Sequence, residues 1–528
     1  NISIIPWAVG SNAGGNATAT GSMGNALVTY STFGGLGNGF RALTSSEYEQ
    51  IVAAGATTLL NNARYAGTGN LTLTGTGHQV NALLIENTAT LASAGLTFAG
   101  SGVGDSLNVG SGAFLFLGST TPQPITVGGF NNGITTGTNS EYIFHQMNTA
   151  TQGVTISSDL TTAASKITKD GPGLLVLSGN VSAASGAISV NQGVLALTNA
   201  TGTTGTITTL GGSLGLLLDG DGLGNTQALN YTVPLTVSGV PSLTVDRLAA
   251  TYPNILAANK TITPTALTAS YVNGVTVANN SGYGLRLTDS IALASPNNFN
   301  VATATNSNVV QGLELNGTIS GGNNLTKTGN GTLVLSGVNT FGGSSNLIDI
   351  VGGAVSVGAS NNLGDSTNVI RLNVPNVTLA AASVSGNGFR ATGTFSESRT
   401  INLAQPYNAI EVTAANIGSP NILTLNSAFT NTGVGNALVK NDNGVLEIAV
   451  ANPTSWVGGI YINGGAVRLS NSTAAGAAPI FIAPSSAAVG AALQLSGGIT
   501  VSNSITLQGT GNQGSGGINF AGQLQNVT

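Results

Sequence analysis

The chain has 528 residues, and only 6% of them are charged, against about 25% in typical globular domains. The net charge is −5 and cysteine is absent, which excludes thiolate chemistry and disulfides and argues against nucleic-acid binding, whose surfaces are basic. Because 41% of the residues are hydrophobic, the composition also differs from that of disordered chains, and we expect a buried interior.

The sequence shows no targeting or membrane segment. It begins at Asn1 without a recognisable signal or transit peptide, and no run of about 18 apolar residues predicts a transmembrane helix. We therefore predict no membrane-spanning segment in this chain. We interpret the chain as a processed product or as a segment of a longer polypeptide.

Residues 1–66 differ from the rest and are predicted to form an N-terminal cap or junction. Aromatic residues are concentrated here, and SSEYEQIVAAG at 45–55 predicts a short helix with Ser45 or Ser46 as its N-cap. One interpretation is a cap or coil decoration that covers an apolar end. The other is a junction that docks onto a neighbouring module or chain.

From about residue 67 onward the sequence follows one uniform pattern of apolar and polar residues. Short alternating apolar runs, such as LLVL at 174–177 and LVL at 333–335, are separated by Gly, Asn, Ser or Thr. Alternation of this kind, punctuated by turn residues, predicts short strands. The fold class is therefore predicted to be all-β.

Internal repetition distinguishes a solenoid from a sandwich or a barrel. Three segments align, and each is followed by a second glycine-containing strand, at 167–197, 325–357 and 438–469. The distances from the motif lysine to the glycine of the second strand are 193 − 169 = 24, 353 − 327 = 26 and 465 − 440 = 25. This near-constant step matches one coil, so we predict a continuous right-handed parallel β-helix over residues 67–528 with marked coils at these three places.

The aligned segments share a lysine followed by glycines, and these residues are predicted to be structural. The glycines allow a tight turn before a strand. The lysine is expected at an outer corner of the coil, where its charge would discourage off-register pairing. The residues concerned are Lys169, Gly171, Gly173, Lys327, Gly329, Gly331, Lys440 and Gly444.

These segments resemble the autotransporter-associated β-strand repeat, also called the passenger-associated transport repeat. LTKTGNGTLVLSGVNTFGG at 325–343 is a close match to its pattern, the first copy lacks the aromatic residue, and the third replaces LSG with IAV. The resemblance implies a β-helical passenger of a bacterial surface protein, exported by a type V or related route. It also implies that the motif serves export and folding rather than chemistry.

Candidate chemical groups are few and scattered. The acidic residues show no coil-spaced clusters, and the two histidines, His78 and His145, are predicted at the surface or at ends of coils. We therefore predict no catalytic residue, no enzymatic activity and no cofactor. LDGDGLGN at 218–225 loosely resembles a calcium loop, so that Asp219, Asp221 and Asn225 are a weak Ca²⁺ candidate beside the favoured interpretation as a plain turn.

The predicted function is that of an extracellular or cell-surface structural or adhesive β-helix, either a segment of a large surface protein or a fibre-forming subunit. End-to-end self-association or contact with neighbouring repeats is expected, since solenoid ends expose strand edges. A surface or matrix polysaccharide is a second candidate partner. The alternative is a carbohydrate-binding or carbohydrate-cleaving β-helix, which would carry stacked aromatics and carboxylates on one face.

Overall fold

The computed structural model describes residues 4–10, 26–32, 38–51, 61–89, 95–118, 122–137, 140–198, 205–221, 223, 225–248, 260–302, 312–375, 377, 387–416, 419–431, 435–482, 490–508 and 522–527. Of the described residues, 52% are in strands and 2% in helices. It divides into two compact units, formed by Asn1–Gly222, Asn230–Ile255 and Pro264–Ser270 and by Leu223–Leu229, Leu256–Thr263 and Tyr271–Thr528. The described helices are two short 3-10 turns, Ser45–Glu47 and Ser360–Leu363.

The first unit contains three stacks of parallel strands, which the chain visits in turn as far as Thr136 before it alternates between the first two. The first stack comprises Glu49–Gln50, Asn62–Gly67, Ala82–Asn87, Ala113–Gly118, Glu141–Gln146, Lys166–Asp170, Ile188–Val190, Thr206–Thr209, Leu235–Ser238 and Leu267–Ala269. The second comprises Leu71–Thr72, Leu96–Gly102, Ile125–Phe130, Val154–Ile156, Leu174–Leu177, Val194–Leu197, Ser213–Leu217 and Ser242–Asp246. The third comprises His78–Val80, Leu107–Val109 and Ile134–Thr136.

The second unit repeats this arrangement. One stack comprises Gln227–Tyr231, Lys260–Pro264, Tyr283–Leu287, Gly312–Leu315, Thr332–Leu335, Ala354–Val357, Gly388–Ala391, Tyr407–Val412, Ala437–Asn441, Ile460–Ile462, Ile480–Ile482 and Ile505–Leu507. Another comprises Gly274–Asn279, Asn298–Val301, Leu325–Thr328, Leu347–Ile350, Val369–Leu372, Ile401–Leu403 and Phe429–Asn431. The remaining strands are Phe395–Glu397, Ile422–Leu425, Val445–Ile448, Gly465–Leu469, Ala491–Ser496 and Leu524–Val527, the parallel pair Ile291–Ala292 and Ile319–Ser320, and the antiparallel pair Ala414–Asn416 and Ser419–Pro420.

The interior of each unit is built from columns of side chains in register. Phe114, for example, lies opposite Leu83 of the preceding coil and Phe144 of the following coil, and all three are fully buried. Successive residues of a strand point to opposite faces, so the alternation seen in the sequence delivers every second residue to the interior. Burial of such a side chain stabilises the fold by about 1.5–3 kcal/mol.

An antiparallel sheet near the N-terminus covers one outer flank of the first unit. Its strands are Ile5–Gly10, Ala26–Thr32 and Asn38–Ala42. Leu27, Leu43 and Tyr48 pack against Leu84 and Leu115, which project outward from two coils. The N-terminal segment therefore packs on the outer side of the coils. The strands that carry Leu84 and Leu115 are covered by apolar residues on both faces.

In the described part of the helix predicted over 45–55, residues 45–51, the structure has a single 3-10 turn, Ser45–Glu47, whose N-cap is Thr44, and the strand Glu49–Gln50 follows. Residues 52–55 of that prediction lie outside the described residues. The Glu47 carboxylate accepts hydrogen bonds from the Thr44 backbone N–H and from Arg41. These local bonds and the pairing of Glu49 with Ala63 end the turn before a helix can propagate.

The prediction of an all-β fold with parallel stacked coils is confirmed. Its right-handed sense and the division into residues 1–66 and 67–528 stay predictions, and parallel pairing already begins at Glu49–Gln50.

The expected number of residues in one coil needs a correction. Lys169 lies opposite Val190, Lys327 opposite Ile350 and Lys440 opposite Ile462, so one coil here takes 190 − 169 = 21, 350 − 327 = 23 or 462 − 440 = 22 residues. The distances of 24 to 26 residues in the sequence are longer than one coil because they run past the residue opposite the lysine and through the following corner to the glycine.

Candidate functional site

The three motif lysines lie inside the coils. In each of their strands the lysine follows an inward leucine or isoleucine by two residues, and its side chain is 0% exposed. The predicted outer-corner position is therefore wrong. The period-two alternation could have revealed this, because L-x-K places the lysine on the same face as the leucine.

The ammonium group of Lys327 is enclosed by backbone carbonyl groups. Its Nζ donates to the carbonyl oxygens of Thr328 at 2.6 Å and Gly329 at 2.9 Å in its own turn, and to that of Gly352 in the next coil at 2.9 Å. The aliphatic stem lies between Phe299 of the preceding coil and Ile350 of the following one. One side chain thus joins a corner to the coil stacked on it.

The third copy, which departs most from the repeat pattern in sequence, has the same geometry. Lys440 Nζ donates to Asn441 O at 2.6 Å, Asp442 O at 2.8 Å and Gly464 O of the next coil at 3.1 Å. The loss of the LSG triplet therefore leaves the lysine corner intact.

In the first copy the same bond to the next coil is present. Lys169 Nζ donates to Gly171 O in its own turn and to Gln192 O of the next coil at 2.7 Å. We call these three arrangements, centred on Lys169, Lys327 and Lys440, the lysine corners.

The residue after each cross-coil acceptor is a glycine that nothing larger can replace without strain. Gly193, Gly353 and Gly465 have φ values of +67°, +61° and +64°. A Cβ on Gly353 would lie 2.1 Å from Gly331 O, and one on Gly193 would lie 2.6 Å from the Lys169 Nζ atom. The backbone of the next coil therefore rests directly on the lysine corner.

The motif glycines play two different roles. Gly171 and Gly329 adopt positive φ values of +81° and +75°, as the tight turn requires, and Asp442 takes the same conformation at +67° in the third copy. The second glycine ties the corner to the coil before it. The backbone N–H groups of Gly173, Gly331 and Gly444 donate to carbonyl oxygens of the preceding coil, those of Gln146, Val301 and Val412.

Burial dominates the electrostatics of the lysine corners. Desolvation lowers the pKa of Lys169, Lys327 and Lys440 to about 7, opposed by Asp170 at the first and by Asp442 and Glu411 at the third. The carbonyl oxygens supply the compensating hydrogen bonds. Around Lys327 and Lys440 there are three of them, which matches the three N–H donors of an ammonium group.

An asparagine twelve residues after the lysine links three coils in two of the copies. Asn339 accepts from the Ile319 N–H of the preceding coil at 2.7 Å and donates to Asn362 O of the following coil at 2.6 Å. Asn452 makes the equivalent pair of bonds to Phe429 N–H and Ala474 O. Sequence reasoning did not assign Asn452, although its spacing from Lys440 was available as a signal.

The fourth buried lysine and the weak calcium candidate meet at Asn225. Lys260 is 0% exposed, and its Nζ donates to both the backbone oxygen and Oδ1 of Asn225 at 2.9 Å. Asp219 accepts from the Leu248 N–H at 3.0 Å. Across the described residues, no group of three or more His, Cys, Asp or Glu side chains is arranged to hold a metal ion. A Ca²⁺ site at Asp219, Asp221 and Asn225 stays a weak prediction.

Both histidines are buried, so the predicted surface position is wrong for each, while the alternative position at an end of a coil stays a prediction. His78 is 1% exposed with Nε2 3.2 Å from Asp105 Oδ1, and His145 is 1% exposed. His78 lies on the same inner face of its strand as Val80, and His145 has its Nε2 atom 2.7 Å from the carbonyl oxygen of Pro6. The spacing of two residues between His78 and Val80 was an available signal for the first position, whereas no local pattern indicated the second.

Several acidic residues are paired with arginines directly opposite them in an adjacent coil. Arg286 Nε lies 2.7 Å from Glu314 Oε2, and Arg371 and Arg468 face Asp349 and Glu447 at 3.5 and 3.8 Å. These acidic residues are scattered in the sequence, but the strand register places each of them opposite an arginine. Their carboxylates serve coil-to-coil contacts.

An outward aromatic column also exists in the second unit. The rings of Tyr461 and Phe481 are 4.7 Å apart and nearly parallel at 11°, and Tyr407 meets Tyr461 edge-on at 6.2 Å. One face of the Tyr461 ring is thus stacked on one face of the Phe481 ring. Stacked aromatics on one face are a feature expected of the carbohydrate alternative, which stays a prediction.

No helix within the described part of the chain is long and apolar enough to cross a membrane.

Comparison with known proteins supports the repeat. A family model described as the passenger-associated-transport-repeat matches residues 167–197 and 325–356. Comparison with curated proteins and with solved structures gave no match. The two matched regions contain the lysine corners of Lys169 and Lys327, and the corner of Lys440 shares their geometry outside the matched residues. These two regions therefore match the passenger-associated transport repeat, as the resemblance in the sequence predicted.

Proposed function

We propose that the protein is an exported, extracellular structural or adhesive β-helix that acts as a segment of a large surface protein or as a fibre-forming subunit. The observation that carries this proposal is the use of the charged side chains. The motif lysines and the register-paired acids and arginines are engaged in joining one coil to the next.

The lysine corners fit a protein that folds after export. A strand that slipped by one residue would turn its lysine outward and bring a threonine, aspartate or valine inward, because the side-chain period is two. The slipped coil would lose the carbonyl contacts of Lys327 and leave buried acceptors without donors, at a cost of about 1–3 kcal/mol each. The corners therefore favour one register while the chain assembles coil by coil.

The test is surface display of the protein in its producing cells. Antibody labelling and added protease on intact cells should detect the chain outside, and the Lys327→Met/Lys440→Met double variant should reach the surface as a protease-sensitive chain in reduced amount. The matched control is Lys166→Met, which changes the one motif-adjacent lysine that is exposed. Retention of the unaltered protein inside the cells would contradict the proposal.

The structural and adhesive versions predict different behaviour of the purified protein. Electron microscopy should show end-to-end assemblies if the chain is a fibre subunit, and only discrete short particles would contradict that version. A panel of surface polysaccharides tests the adhesive version and the carbohydrate alternative together. Binding without cleavage supports adhesion, whereas cleavage would replace the proposal by an enzymatic function.

A further inference from the structure

His145 lies where the N-terminal antiparallel sheet meets the first lysine corner. It belongs to the strand Glu141–Gln146, which lies next to Lys166–Asp170 in the stack. Its Nε2 atom is 2.7 Å from the carbonyl oxygen of Pro6, on the first strand of the N-terminal sheet. Its Nδ1 atom is 3.4 Å from Asp170 Oδ2, on the following coil.

The histidine continues an outward column that the sheet covers. Leu84, Leu115, His145 and Asp170 are directly opposite one another in four successive strands of the stack. The first two belong to the apolar cluster beneath the sheet, together with Leu27. His145 therefore stands at the margin of this apolar contact, where the column changes from apolar to charged.

Both hydrogen-bond partners of the imidazole are acceptors. Pro6 offers a carbonyl oxygen and Asp170 a carboxylate, whose pKa is lowered chiefly by the His145 hydrogen bond. A neutral imidazole has one N–H and can donate to only one of them, whereas an imidazolium has two and satisfies both. Proton binding to His145 and docking of the strand Ile5–Gly10 therefore strengthen each other.

The charged surroundings of His145 are simple. The flanking strands Ile5–Gly10 and Ala113–Gly118 contain no charged residue. On its own strand Glu141 lies at the far end, opposite Lys166, and Lys169 points inward into its lysine corner. Asp170 is thus the charged group that faces the ring.

The acid is particular to the copy beside the N-terminal sheet. The residue after the motif lysine is Asp170 in the first copy, but it is Thr328 in the second and Asn441 in the third. A carboxylate is therefore not needed for a lysine corner. The carboxylate occurs in the copy in which a histidine, His145, lies opposite this position and contacts the N-terminal sheet.

We propose that His145 is a pH-dependent latch that docks the N-terminal sheet onto the first lysine corner, closing firmly when the imidazole is protonated and loosening when it is neutral. The readout is amide hydrogen exchange of residues 26–32 and 38–42 in the whole protein, expressed as protection factors to remove the intrinsic effect of pH. Protection should be at least about tenfold greater at pH 5.5 than at pH 8, as one added hydrogen bond between charged groups implies.

Two variants make the latch falsifiable. His145→Gln can still donate to Pro6 but cannot titrate, and Asp170→Asn installs the residue that the third copy tolerates at this position; both should abolish the pH difference. His78→Gln changes the other buried histidine, which contacts Asp105, and should keep the difference. Equal protection of the unaltered protein at both pH values, or a full pH difference in His145→Gln, would overturn the proposal. Loss of the latch alone would leave the proposed surface function standing.

Discussion

At each lysine corner an ammonium group occupies a place from which water is excluded. Transfer of an unpaired ammonium group into the interior is costly, and backbone carbonyl groups at such a corner would be costly to leave without donors. Together they compensate each other, since the lysine supplies donors and the turn supplies acceptors. The corner is consequently stable only when both the turn and the next coil are correctly placed.

Removal of one lysine should expose this dependence. Lys327→Met keeps the apolar stem between Phe299 and Ile350 but leaves three carbonyl oxygens without donors, so we expect the free energy of unfolding to fall by about 3 kcal/mol. Urea denaturation followed by circular dichroism measures the change. Lys166→Met, at an exposed position, should change stability by less than about 0.5 kcal/mol. Equal stability of the two variants would show that the carbonyl contacts do not stabilise the coil.

Stability should also depend on pH above neutrality. The pKa of each motif lysine in the folded protein is about 7 against an ordinary value of 10.5, so the unfolded chain binds more protons between these limits. The free energy of unfolding should therefore rise from pH 7 to pH 9.5 and level off below pH 7. Denaturation at a series of pH values tests this. Lys327→Met should reduce the slope, and a stability that falls over this range would contradict the assignment.

At the scale of the element, the strand after each corner starts from a glycine that has no room for a side chain. Gly353→Ala would strain a residue at φ +61° and place its Cβ against Gly331 O. We expect a loss of about 2 kcal/mol or more in the free energy of unfolding. The matched control is Gly358→Ala, whose added Cβ would meet only Thr392 Oγ1 at 3.8 Å and should be nearly neutral. A mild effect of Gly353→Ala would mean that the coils can separate at this point.

The elements were the most predictable feature of the sequence, and the corners the least. Alternation and turn residues correctly predicted short parallel strands, because each strand buries one face. The same rule placed Lys327 on the inner face, but a general preference for exposed charges led to the opposite expectation. The contact of His145 with Pro6 joins residues 139 apart, and no local pattern encodes it.

At the scale of the whole molecule, polar groups are used mainly between coils. Asn339 and Asn452 each bridge three coils, and the arginine–carboxylate pairs face each other by register. Nearest-neighbour contacts of this kind let a solenoid grow without disulfides or a globular core. A chain with 6% charged residues can therefore adopt one defined strand register, because its charged side chains contact the adjacent coils.

Lysine modification of the native protein tests the central claim most directly. Of the lysines at positions 166, 169, 260, 327 and 440, Lys166 is exposed and the other four are 0% exposed. Treatment with an amine-reactive ester at pH 8, followed by peptide mass spectrometry, should label Lys166 quickly and the other four only after unfolding. A pKa of about 7 would make the motif lysines more reactive if reagent reached them, so their protection would establish burial. Labelling of Lys169, Lys327 and Lys440 at the rate of Lys166 would place them on the outside and contradict the lysine corners.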